Sequence, residues 1–159
     1  MRDDSAMALE FRPGRSDSSP GRELMEELDE LLNLQYPGRD AKPGSVTTPR
    51  EMGSPDGAFL VGYEDGTPMA IGGLRRLNDG VCEIKRMYVV PGARSRGAGR
   101  ALLATLEDMA REIGYERVRL DAGPAQQHSR ALFAKAGYVE IPRYNTNHIA
   151  VYFAEKRLT

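Results

Sequence analysis

Cysteine is nearly missing from this chain of 159 residues, and Cys82 is the single one. An internal disulfide is therefore excluded, and with only two histidines there is no Cys/His spacing suited to zinc. No metal is implied. Nor is there an apolar run near the roughly 18 residues that a membrane span needs, so no membrane partner is expected. The opening residues, Met1-Arg2-Asp3-Asp4-Ser5, hold one arginine and no apolar segment behind it. Export is not expected, which leaves the cytoplasm as the expected compartment and residues 1–6 as a flexible tail. An excess of one charge is lacking too, with 22 basic against 23 acidic residues. A nucleic-acid partner, which needs a basic face with interleaved aromatics, is therefore not expected, and any anion site must be local.

What is present suits one domain spanning 1–159, with 40% hydrophobic and 28% charged residues. A short alternating segment at 8–12 is followed by Ser19 and Pro20, read as N-cap and first helical residue. The helix after them carries Leu24, Met25, Leu28, Leu31, Leu32 and Tyr36 on one face and stops at Pro37-Gly38. Runs at 58–63, 68–74 and 81–90 read as strands, separated by the turn sequences Glu64-Asp65-Gly66 and Asn78-Asp79-Gly80. From Gly97 the period becomes helical, with Leu102, Leu103, Leu106, Met109, Ala110 and Ile113 on one stripe and Gly114 at the stop. A strand at 117–120, a helix at 126–136 and final strands at 138–141 and 148–154 complete the order βαβββαβαββ. The expected fold class is α/β: a mixed, mostly antiparallel sheet of six to seven strands, helices on both faces, and strands four and five parallel because a helix connects them.

The junction Met87-Tyr88-Val89-Val90-Pro91-Gly92-Ala93-Arg94-Ser95-Arg96-Gly97-Ala98-Gly99-Arg100 runs from strand through a glycine-bearing loop into a helix. Unpaired amides at a helix start point outward with the macrodipole behind them, and glycines let a phosphate come close. Solvated arginines at an ordinary helix start remain the plain alternative. A triphosphatase phosphate loop would need a lysine, and none occurs between Arg86 and Lys135. A dinucleotide fold would place its glycines after the first strand, not the fourth.

The junction resembles the coenzyme A signature of the GNAT superfamily of N-acetyltransferases: Arg or Gln, two residues, Gly, one residue, then Gly or Ala. Arg94, Gly97 and Gly99 match. The resemblance extends to Glu83-Ile84-Lys85-Arg86-Met87-Tyr88-Val89, to Leu120-Asp121-Ala122-Gly123-Pro124 and to Ala131-Leu132-Phe133-Ala134-Lys135-Ala136-Gly137-Tyr138, covering roughly 58–158. It implies an acetyl-CoA-dependent N-acetyltransferase whose partners are acetyl-CoA and an amine acceptor, with a homodimer also conceivable. The amides of Ser95, Arg96, Gly97, Ala98, Gly99 and Arg100 would hold the pyrophosphate. The backbone of Met87, Tyr88 and Val89 would pair with the pantetheine arm where strands four and five splay. Gln126, Ser129 and Phe133 occupy slots where relatives often carry Asn, Ala and Tyr.

The resemblance also makes Glu83 the first choice for the base that takes the ammonium proton, the alternative being a structural pair with Lys85. Phe133 departs from the family's tyrosine, so it cannot protonate the departing thiolate. That leaves an unaided thiolate, a different hydroxyl (Tyr88, Tyr138 or Tyr144, with Tyr144 the catalytic candidate), or a non-catalytic acyl-CoA-binding module. His128 and His148 read as surface or structural residues, and Cys82 as a small buried one. The acceptor pocket is expected from 36–55 and 143–147, with Tyr36 as candidate substrate contact.

Overall fold

The computed structural model describes residues 8–39 and 47–158, so the expected N-terminal tail and part of the expected acceptor loop lie outside the described residues. The elements in chain order are β1 (Glu10–Pro13), α1 (Gly21–Gln35), β2 (Ala58–Glu64), β3 (Thr67–Asn78), β4 (Val81–Val89), α2 (Ala98–Ile113), β5 (Arg117–Ala122), α3 (Gln127–Lys135), β6 (Val139–Glu140) and β7 (Tyr152–Arg157). All seven strands join one sheet in the order β1-β2-β3-β4-β5-β7-β6. Pairing is antiparallel except between β4 and β5, which α2 connects and which run parallel.

The two tight turns form where their sequences place them, with Asp65 and Gly66 at φ 49° and 80° and Gly80 at 75°. Each face of the sheet then receives a helix. On one side Leu102, Leu103, Leu106 and Ala110 of α2 sink into a core with Leu74, Ile84, Val118 and Leu120. Full burial of each leucine contributes about 1.5–3 kcal/mol. On the other side Leu24 and Leu28 of α1 pack on Phe59, Val61, Ile71 and Tyr88.

Two expectations need correction. Pro20, not Ser19, is the N-cap of α1, and no side chain caps the helix. Ser19 instead donates its hydroxyl to the Glu23 carboxylate at 2.5 Å. The last strand begins at Tyr152 rather than at 148, so His148 lies in a loop. The cause is local: Asn145 Oδ1 accepts from the Asn147 amide and Asn147 Oδ1 from the Ile149 amide, while Arg143 donates to the carbonyls of Asn147 and Ala150. These side-chain bonds occupy backbone groups that a strand ladder would have used.

Candidate active site

Strands β4 and β5 are in register at Val81↔Arg117, Cys82↔Val118 and Glu83↔Arg119, and the pairing ends there. Beyond Glu83, β4 stays with β3, while β5 continues with β7. A bulge in β4 accompanies the parting: Ile71 faces Tyr88 and Gly73 faces Lys85, so two steps on β3 answer three on β4. The extra residue is Arg86, in the left-handed region at φ 60°. An opening between parallel strands leaves main-chain groups of Met87, Tyr88 and Val89 able to pair with an extended ligand.

At the far end of β4 a short 3-10 turn at Pro91–Ala93 leads to α2. Ser95 and Gly97 both take positive φ, 65° and 85°, and Gly97 is the N-cap with no side-chain cap. The first intrahelical bond runs from the Ala101 amide to the Gly97 carbonyl at 3.0 Å. Among the described residues, the amides of 95 to 100 donate to no carbonyl or side chain, and all but Ala98 and Gly99 are exposed. Six free donors at the positive end of a helix of 16 residues make a seat for a diphosphate. A Cβ built on Gly99 would lie 3.4 Å from Leu132, an ordinary contact. Packing therefore does not demand glycine there, and the missing Cβ leaves the main chain open to close approach. The arginines divide. Arg94 folds back, its Nε donating to the Val89 carbonyl at 3.1 Å, and Arg96 pairs with Glu64 at 3.1 Å. Arg100 is exposed on the first turn and makes no side-chain hydrogen bond or ion pair among the described residues.

On the α1 face of the opening lies a connected polar group. Glu83 is 0% exposed. Its Oε1 accepts from Arg75 Nε at 2.9 Å with Lys85 Nζ at 3.7 Å, and its Oε2 accepts from Tyr144 Oη at 2.5 Å and Asn145 Nδ2 at 3.0 Å. Lys85, the structural partner expected as the alternative to a base role for Glu83, makes the longest of these four contacts. Lys85 also reaches Asp121 at 3.4 Å, and Arg75 reaches Glu51 at 2.7 Å. Asp121, Arg75, Asn145 and Asn147 were not singled out as site residues. Asp121 stands inside a quoted motif and the asparagines inside the 143–147 segment expected to line the acceptor pocket, but that loop has no periodicity to single out individual residues.

The remaining candidates sort by environment. Tyr88 donates to Glu27, Tyr138 to Glu107 and Tyr144 to Glu83, each hydroxyl thus giving its proton to a carboxylate. Burial first, then the adjacent carboxylate, pushes all three above the usual tyrosine range. Phe133 is buried and packs against Tyr138 with ring centres 5.9 Å apart, so it serves the core on the α2 side. Gln126 Oε1 accepts from the Gly123 amide at 2.6 Å and fixes the start of α3, where Ser129 is half-buried. Tyr36 crosses from α1 to the β5–α3 loop, its hydroxyl accepting from the Ala125 amide at 3.0 Å. Cys82 is buried, and its thiol is pushed up to about 12, mainly by loss of solvent, which disqualifies it as a nucleophile at neutral pH. His128 and His148 are exposed. Among the described residues no helix is long and apolar enough to cross a membrane, and no group of three His, Cys, Asp or Glu is placed to hold a metal.

Comparison with known proteins agrees with this geometry. The family model for the Acetyltransferase (GNAT) family matches residues 25–138. An "IAA acetyltransferase" of Azospirillum brasilense is 35% identical over 119 residues, 74% of this chain and 76% of the relative. Among solved structures, a GNAT-family acetyltransferase of Staphylococcus aureus superposes with a TM-score of 0.78 at 19% identity, over 96% of this chain and 100% of that one. The PaiA N-acetyltransferase of Thermoplasma acidophilum, solved in complex with coenzyme A, gives 0.66 at 17% identity, over 95% and 99%. With its parallel strands parting beside a bare helix start, and with a family model covering most of its length, this chain belongs to the GNAT family of acetyltransferases.

Proposed function

We propose that the chain transfers the acetyl group of acetyl-CoA to a primary amine of a small molecule or protein, by direct attack and without a covalent acyl-enzyme. The observation that carries this reading is the conjunction of six unclaimed amides at the start of α2 with a β4–β5 opening that leads from them toward Glu83. Acetyl-CoA as the donor is further supported by two structural neighbours, one solved with coenzyme A and one from Salmonella typhimurium with acetyl-CoA. Bound there, the thioester supplies an acyl carbon already activated toward an amine. The chain's residues do the rest.

The diphosphate rests on the amides of 95–100, with Arg100 adding charge. Met87, Tyr88 and Val89 hold the pantetheine arm as an added strand. Gln126 and Ser129, on the β5 side, flank it, and Phe133 supports them from the core. Proton removal falls to a pair. The Tyr144 hydroxyl, 2.5 Å from Glu83, passes a proton to the buried carboxylate while taking one from the acceptor, and so never ionises. Arg75 and Lys85 stand beside the Glu83 carboxylate as its two cationic neighbours. As the C–N bond forms and the C–S bond breaks, the electron pair leaves on sulfur. The acceptor ammonium yields two protons in all, one through Tyr144 and one that ends on the thiolate. The three hydroxyls weighed for the sulfur, those of Tyr88, Tyr138 and Tyr144, each donate to a carboxylate, and a thiolate whose acid has a pKa near 8.5 leaves without help. Tyr36 closes the acceptor end by bridging α1 and the β5–α3 loop.

Thiol release from acetyl-CoA over an amine panel tests this. Wild-type turnover with at least one amine is expected, reduced about a hundredfold in Tyr144→Phe. Acetyl-CoA binding without release over the whole panel would favour a module that only senses acyl-CoA.

A further inference from the structure

Arg86 is an unusual residue for its place. A bulge at φ 60° is a glycine-like conformation, and a long β-branch-free side chain held there costs backbone energy that only function or packing repays. Packing does not explain it. The side chain is half-buried, yet its guanidinium makes no hydrogen bond or ion pair among the described residues. The charges acting on it are Asp29, Arg39 and Asp121, and Asp29 is already paired with Arg39 at 3.0 Å. A guanidinium with five donors, taken partly out of water and meeting no carboxylate among the described residues, has the capacity to hold an anion.

Asp121 is its counterpart on the other strand. Its Oδ2 accepts from Asn145 at 2.7 Å and Asn147 at 3.3 Å, with Lys85 at 3.4 Å. Oδ1 takes nothing among the described residues. It is not sealed in either, since the one buried side-chain polar atom left without a partner among those residues is Gln35 Oε1. Thus where β4 and β5 part, a cation on β4 and a half-committed carboxylate on β5 stand one residue from direct contact, since Lys85, the neighbour of Arg86, reaches Asp121 at 3.4 Å, and the two are not paired with each other among the described residues. Each has kept its capacity for something else.

We infer that the acceptor is a free amino acid: its ammonium donates to Asp121 Oδ1, and its carboxylate takes a two-pronged bond from the Arg86 guanidinium. The pair places the amine beside Tyr144, whose hydroxyl and Asp121 are linked through Asn145 and Glu83. The product is an N-acetylamino acid, with bond changes as described above. This assignment rests on the acetyltransferase reading and adds the class of acceptor to it.

The test sets each of a panel of amino acids against its own carboxamide, which keeps the amine and removes the carboxylate. Thiol release is followed with acetyl-CoA, and calorimetry records binding of the same compounds to protein saturated with coenzyme A. For the preferred side chain, kcat/KM for the acid is expected to exceed that for the amide about tenfold or more. Arg86→Gln is expected to bring the two within about twofold, through KM. Arg86→Gly supplies the control for folding: it relieves the backbone, so its Tm should equal or exceed that of the wild type while the preference disappears. Amides used as well as acids, or a preference untouched in Arg86→Gly, would overturn the assignment. Failure of the broader reading has a different signature, no thiol release with any amine. In that event the binding arm still decides: amino acids bound by wild type and not by Arg86→Gly support the site, and no binding refutes it.

Discussion

Glu83 is held by two cations and two neutral donors, and each cation has a second carboxylate, Glu51 for Arg75 and Asp121 for Lys85. Removing its charge therefore does not strand an ion. Glu83→Gln is expected to fold with a loss of about 1–3 kcal/mol, measured by urea unfolding. Its turnover should fall most at low pH, where the acceptor is ammonium, and recover tenfold per pH unit toward the acceptor's own pKa; a pH–rate profile parallel to wild type would remove Glu83 from proton transfer. Gly123 makes a second residue-scale prediction. A Cβ there would overlap the Tyr36 hydroxyl oxygen well inside van der Waals contact, so Gly123→Ala must displace Tyr36 from the β5–α3 loop. An overpacking cost of about 1–3 kcal/mol follows. At this scale the sequence was readable where a motif had a position, as at Glu83 or Gly97, and silent where a role depends on which oxygen is left over. That Asp121 keeps one oxygen open follows from Asn145 and Asn147, which only the folded loop brings to it.

Among the elements, α2 carries much of the core and, in the proposed reading, the cofactor's diphosphate. Its stripe was legible because leucines recur at helical spacing; Leu102, Leu103, Leu106 and Ala110 prove buried, while Met109 and Ile113 are partly buried at its edge. Leu106→Ala should cost about 2–5 kcal/mol in urea titration while leaving coenzyme A affinity unchanged in the fraction still folded. Separation of these two properties is expected because the ligand meets only the first turn. The 3.6 and 2.0 periods also gave the strand and helix order, and the connecting helix gave the parallel pair. Periodicity failed at 148–151, where asparagine side chains occupy backbone amides, and at β6, reduced to Val139–Glu140. The bulge was illegible for a related reason: arginine carries no left-handed preference, so nothing at Arg86 announced φ 60°.

Across the whole molecule, charge is balanced, so the positive potential that the proposed diphosphate seat requires must come locally, from the helix amides and Arg100, rather than from a global field. Burial of ionisable groups has a further consequence at alkaline pH. The Cys82 thiol is pushed up to about 12 by burial, whereas in the unfolded chain it titrates near 8.5. A folded-state pKa raised in this way gives stability that is complete below about 8.5 and is lost as pH rises toward 12. Urea midpoints should therefore fall with pH across that window, and fall less steeply in Cys82→Ala; equal slopes would show the thiol free to ionise in place. The central claim, that the bare start of α2 seats the diphosphate of coenzyme A, is tested most directly by calorimetric titration of acetyl-CoA into wild type and Gly97→Glu at matched ionic strength. The account predicts saturable binding to the wild type and affinity lowered at least a hundredfold in the variant, where a side chain and a like charge fill the seat. Equal affinity in the two proteins, or none in either, would contradict it.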